Sequence, residues 1–129
     1  MRLICIVLTV ISLVFSCSIG NVIKNRLPAP HPVDGGVIFQ YENPAARQVQ
    51  LCGNFNNWCG TKATGGVLDP SIGIMSDDDS DGVWTIVMEL PSGRYQYKFV
   101  IDRVSWTKDP SNPDTDTEDG IENSLLIIK

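Results

Sequence analysis

Two tryptophans stand where a core indole is not expected. Trp58 ends the run Leu51-Cys52-Gly53-Asn54-Phe55-Asn56-Asn57-Trp58, and Trp106 lies in Val104-Ser105-Trp106-Thr107, between Asp102 and Asp109. A ring in such polar company can lie against the apolar C–H face of a sugar while nearby donors and acceptors meet its hydroxyls. Each tryptophan also has a plain alternative, which is to half-bury against one end of the domain. Two cysteines flank the first ring: Cys52 at a strand end and Cys59 just past Trp58. Without His or further Cys nearby they make no zinc cage. Asp77, Asp79, Asp81 and Gly82 copy the first half of an EF-hand calcium loop. The twelfth position, where a bidentate Glu is needed, is Met88 and a strand follows, so these residues read as a solvated acidic turn and no metal is expected.

No catalytic set accompanies these residues. The one histidine, His31, stands in a proline-rich stretch, so no Ser-His-Asp arrangement can form. There is no phosphate-cradling glycine loop. Carboxylates gather in turns and do not flank a cleft as glycosidase pairs do. The chain therefore reads as a non-enzymatic binding module that needs no cofactor. With a formal net charge of −5 and no basic cluster it does not suit nucleic acid, whose phosphates need a basic face.

The elements that must position these side chains are strands. Val37 to Tyr41, Gln48 to Cys52, Val83 to Leu90, Arg94 to Ile101 and Ser124 to Ile128 are rich in β-branched and aromatic residues. Trp84, Ile86, Met88 and Leu90 share one face of their strand and read as core. Tyr95, Tyr97, Phe99 and Ile101 alternate with Arg94, Gln96, Lys98 and Val100. If Tyr97 and Phe99 pack inward, Lys98 must point out, where an ammonium can meet sugar hydroxyls. Pro91-Ser92-Gly93 reads as a hairpin turn, and no helical period is visible outside the N-terminal leader. The expected fold is all-β, an antiparallel immunoglobulin-like sandwich.

The Gly53-Asn54-Phe55-Asn56-Asn57-Trp58 turn, the Tyr95-Gln96-Tyr97-Lys98-Phe99 strand and Trp106 just before Asp109-Pro110 resemble the family 48 carbohydrate-binding modules. These are early-set, isoamylase N-terminal-like β-sandwiches, found in the β subunit of AMP-activated protein kinase and ahead of the barrels of glycogen-branching and debranching enzymes. The resemblance covers roughly Val33 to Lys129 and implies glycogen, starch or maltodextrin binding. It assigns Trp58 and Trp106 to a stacking platform, and Lys98 and Asn123, the last in Gly120-Ile121-Glu122-Asn123, to hydroxyl contacts. Lys98 can equally be a solvated strand lysine, and Asn123 a turn residue. Two features depart from the family. Asp119, beside Glu118, replaces an apolar residue before the final Gly, and a long Gly60 to Asp81 insertion follows Trp58.

The N-terminus reads as an export signal. Arg2 precedes an apolar run from Leu3 to Phe15 that is shorter than the ~20 residues of a spanning helix. Val14-Phe15-Ser16-Cys17 resembles a bacterial lipobox, which would make Cys17 the lipidated first residue and attach the protein to a membrane. The competing reading is an ordinary signal peptide cut after Gly20. On the lipobox reading residues 1–16 are the signal peptide, 17–32 a linker containing Leu27-Pro28-Ala29-Pro30-His31-Pro32, and 33–129 the domain. That linker is extended and semi-rigid or a disordered tail. Export favours a Cys52–Cys59 disulfide, worth about 2–3 kcal/mol in the chain-entropy model, over two separate buried thiols. The expected setting is the cell envelope, lipid-anchored or as a soluble periplasmic or secreted protein, with a separate glycan-active enzyme as a possible partner. A scaffold domain with a degenerate sugar site is the competing function.

Overall fold

A computed structural model describes residues 27–129. The leader at 1–16 and the lipidation candidate Cys17 lie outside the described residues. Eight strands follow in chain order: β1 His31–Val33, β2 Gly36–Glu42, β3 Val49–Gly53, β4 Val83–Met88, β5 Gly93–Ile101, β6 Ser105–Thr107, β7 Thr115–Glu118 and β8 Ile121–Ile128. A single helical turn, α1 Thr61–Thr64, interrupts the β3–β4 connection. One antiparallel sheet runs β1-β2-β4; the other runs β3-β5-β8-β7, with β6 also paired to β5. Together they form the sandwich that strand alternation predicts.

The core lies between the sheets and is filled from alternate strand positions. Val37 and Phe39 from β2 meet Val49 and Leu51 from β3, Tyr97 and Phe99 from β5, and Met75 from the β3–β4 connection. Phe39 and Tyr97 pack edge to face, with ring centroids 5.0 Å apart. Trp84 packs against this cluster as expected, and its indole N–H donates to the Asn43 carbonyl at 3.0 Å.

The insertion after Trp58 is laid along β3. The Leu51 N–H donates to the Gly73 carbonyl at 2.7 Å and the Met75 N–H to the Val49 carbonyl at 2.9 Å. Gly73 has φ +67, and a Cβ there would run into the Leu51 carbonyl, so both backbone shape and space require glycine. Gln50 clasps the same segment from β3, its amide N–H groups donating to the carbonyls of Asp69 and Ile72, both at 2.9 Å. The free edge of β3 is thereby covered.

Four elements escape sequence reading. Strands β1, β6 and β7 are three or four residues long, too short for alternation to register. Residues His31 and Pro32, in the proline-rich stretch, belong to edge strand β1, where a proline is tolerated. The turn α1 buries no residue and so leaves no helical pattern. Among the described residues no helix is long and apolar enough to cross a membrane.

Candidate functional site

The turn that carries Trp58 is wound the wrong way for L-residues. Asn57, Trp58 and Cys59 have φ of 54°, 52° and 54°, and Gly60 continues at 83°. Left-handed backbone costs roughly 1–2 kcal/mol per non-glycine residue, so other contacts must hold it. Asn56 is the first of these. Its Oδ1 accepts the N–H groups of Gly53 at 3.0 Å and Cys59 at 3.1 Å, while its Nδ2 donates to the Leu51 carbonyl at 2.9 Å. The second is the Cys52–Cys59 disulfide, which is present and ties the far end of the turn back to β3. The third is packing. Trp58, Cys52, Cys59 and Val100 form a second apolar cluster, flanked by Leu68 and Ile72, on the outer face of the five-stranded sheet.

That cluster changes two expectations. Val100 points outward as alternation requires, yet it is fully buried, clustered with Trp58 and the disulfide, with Leu68 and Ile72 of the insertion packed against them. Trp58 is only 9% exposed, whereas Trp106, directly opposite Val100 on β6, is 41% exposed. Their ring centroids lie 6.5 Å apart and their planes are tilted by 47°. The pair forms a bent cradle rather than a flat platform.

Four expected residues converge here. Trp58, Trp106, Lys98 and Asn123 line one cleft of about 290 Å³. Lys98 sits opposite Cys52 in the β3–β5 ladder and is half-buried. Asn123 belongs to β8 and not to a turn: it is 4% exposed, and its Nδ2 donates to Gln96 Oε1 at 2.8 Å. The sequence window Gly120 to Asn123 reads as a turn only because its glycine belongs to the preceding hairpin. Asp119 and Gly120, with φ of 51° and 77°, make that two-residue reversal.

The cleft also holds the acidic pair Glu118 and Asp119 that departs from the family pattern, and three residues with no sequence signal of a site, Thr61, Lys62 and Ile121. Thr61 and Lys62 come from α1, so the insertion forms one wall; Glu118, Asp119 and Ile121 come from the β7–β8 hairpin and form the opposite one. Ile121 is 56% exposed and supplies apolar surface on the far side of Gly120 from the carboxylate of Asp119. Its only signal was an isoleucine at a hairpin tip. Lys98 and Lys62 offer donors, Glu118 and Asp119 acceptors, and the two indoles apolar faces.

A buried polar knot ties the segment that follows β6, the strand of Trp106, to β5 and β8. The Tyr97 hydroxyl donates to Asp109 Oδ2 at 2.7 Å and accepts from Asn112 Nδ2 at 3.0 Å. The Asp109 N–H donates to Ser124 Oγ at 2.8 Å. Burial pushes the Asp109 carboxyl above the usual carboxylate range, against the opposing pull of the Tyr97 hydroxyl. Burial also raises the Tyr97 hydroxyl, helped by the Asp109 charge.

The acidic turn lies elsewhere and shares no residue with the cleft. Carboxylate oxygens of Asp77, Asp79 and Asp81 approach within 4.8 Å of one another. Asp77 accepts the N–H groups of Asp81 and Gly82, both at 3.1 Å, and Asp81 accepts the Val83 N–H at 2.8 Å. Those carboxylates build the turn that starts β4.

The model of the glycogen recognition site of AMP-activated protein kinase matches residues 36–129 of the chain. Over 83 residues, 64% of the chain, it is 31% identical to the 5'-AMP-activated protein kinase subunit beta-1 of Sus scrofa, covering 56% of that protein. The same span is 31% identical to subunit beta-1 of Homo sapiens and 34% identical to subunit beta-2 of Mus musculus, covering 25% and 26% of those proteins. The matched region thus spans between a quarter and about half the length of these curated relatives.

Proposed function

The chain belongs to the family of the glycogen recognition site of AMP-activated protein kinase, a non-catalytic carbohydrate-binding module, and from that membership we propose an α-glucan-binding protein, exported on the leader read from its sequence. Its ligand is a maltodextrin, or the outer chain of glycogen or starch. Trp106 stacks on one glucose ring and the accessible edge of Trp58 meets its neighbour. Lys98 and Asn123 bind hydroxyls. The observation that carries this reading is the convergence of these four side chains on one cleft. The 47° tilt supports it as well, since successive rings of an α-linked glucan turn relative to one another and need a bent surface.

The protein works outside the cytoplasm, held at the cell envelope through a lipid on Cys17, with a soluble form cut after Gly20 as the alternative. A disulfide suits an oxidising compartment. The mass of the mature protein decides between the two forms. A lipid-bearing N-terminal Cys17 supports the anchor, and a chain starting at Asn21 removes it.

The near-burial of Trp58 favours a second reading, an envelope scaffold with a degenerate sugar site, in which the indole serves packing alone. Isothermal titration of the oxidised protein with glycogen and maltoheptaose tests both. Saturable binding supports the glucan reading; a folded protein that binds neither sugar at millimolar concentration supports the scaffold.

A further inference from the structure

Asn123 reaches the cleft at the end of a hydrogen-bonded row on the outer face of the five-stranded sheet. Arg94 Nη2 donates to Asp116 Oδ2 at 2.6 Å. Gln96 Nε2 donates to the same oxygen at 3.1 Å, and Gln96 Oε1 accepts from Asn123 Nδ2 at 2.8 Å. Asp116 is the direct cross-strand partner of Asn123, and Gln96 lies diagonal to it, opposite Leu125 two residues further along β8. The row runs from an exposed ion pair to a residue that is 4% exposed.

The row has a direction. An ionised carboxylate only accepts hydrogen bonds, whereas a primary amide has one accepting and one donating end. The Arg94 guanidinium beside Asp116 holds its carboxyl below the usual range, so at neutral pH Asp116 can only accept. Gln96 must then turn its amino group to Asp116 and its oxygen to Asn123. Asn123 in turn spends an N–H on Gln96, and its Oδ1 is left for the cleft.

We propose that Gln96 and Asp116 are positioning residues that fix the polarity of Asn123, so that the cleft presents an acceptor at Asn123 beside the Lys98 donor. This rests on the glucan reading above and deepens it. An amide free to flip would offer a ligand hydroxyl an N–H or a carbonyl at random; an amide fixed from behind is pre-organised and spares that ordering cost on binding.

The test is a double-mutant cycle in the oxidised protein, read by maltoheptaose titration and by the side-chain amide signals of Asn123 in nitrogen-15 spectra. Gln96→Leu is expected to weaken binding by about tenfold, roughly one strong hydrogen bond, and to shift the Asn123 amide pair. Asp116→Asn, a surface change that leaves the Gln96 partner undirected, is expected to weaken it by about threefold at an unchanged melting temperature. In an Asn123→Ala background Gln96→Leu should change affinity by less than about twofold, because the effect travels through Asn123. Full additivity of the two substitutions, or an Asn123 amide signal indifferent to Gln96→Leu, overturns the relay while leaving glucan binding intact. A folded wild type that binds no glucan overturns both, and is distinguished by the flat wild-type titration.

Discussion

Among the described residues two apolar clusters lie on opposite faces of the same sheet, and they are built by different means. Between the sheets, Phe39, Leu51, Tyr97 and Phe99 are fully buried by strand alternation. On the outer face, Trp58, Cys52, Cys59 and Val100 are buried by a disulfide, a left-handed turn and the Gln50 clasp on the insertion. The first cluster specifies the fold. The second is small and depends on covalent and polar ties, and one of its members, Trp58, lines the cleft. A site that must leave part of a tryptophan open cannot bury enough apolar area to hold itself, so cross-linking replaces burial.

Breaking the inner cluster should have the largest effect. Phe39→Ala empties a fully buried position and is expected to cost about 3–5 kcal/mol. Denaturant unfolding measures it, and site and core signals should be lost together. Breaking the outer cluster should spare the fold. Cys52→Ser with Cys59→Ser is expected to lower stability by about 2–3 kcal/mol. The variant should keep its β-sheet circular dichroism yet change its tryptophan fluorescence and lose most maltoheptaose affinity. If its affinity is unchanged, the left-handed turn holds Trp58 without the bridge.

How much of this was legible depended on which cluster a residue serves. Tyr97, Phe99, Ile86 and Met88 announce themselves by alternation, a backbone rule that needs no tertiary contact. Lys98 was placed outward by the same rule. For Trp58 the sequence leaves stacking and half-burial both open, because its burial comes from Leu68 and Ile72, in an insertion with no period to read. Asn123 looked like a turn residue because a two-residue hairpin shifts its glycine out of the strand that follows. Lys62, Thr61 and Ile121 could not be placed, since only the folded insertion and the β7–β8 hairpin bring them to the cleft.

The buried knot behind β6 sharpens the comparison further. Asp109 holds its proton to higher pH in the native state than in the unfolded chain, so its contribution to stability falls as pH rises through that interval. Tyr97→Phe removes the hydroxyl that draws the Asp109 carboxyl down, and should widen that interval upward. The expected loss is about 1–2 kcal/mol near neutrality and less in acid, where the carboxyl is protonated in both states. Urea midpoints between pH 4 and 8 measure it. A loss independent of pH would mean that Asp109 does not titrate with folding in that range.

The most direct test compares the two indoles in one titration. Trp106→Ala and wild type, both oxidised, are titrated with maltoheptaose by calorimetry, alongside their melting temperatures. Trp106 is the more open ring and belongs to neither buried cluster, so the account predicts a protein that stays folded with a small drop in melting temperature and loses nearly all affinity. A folded Trp106→Ala protein that binds maltoheptaose as tightly as wild type would contradict it and move the ligand away from the outer cluster.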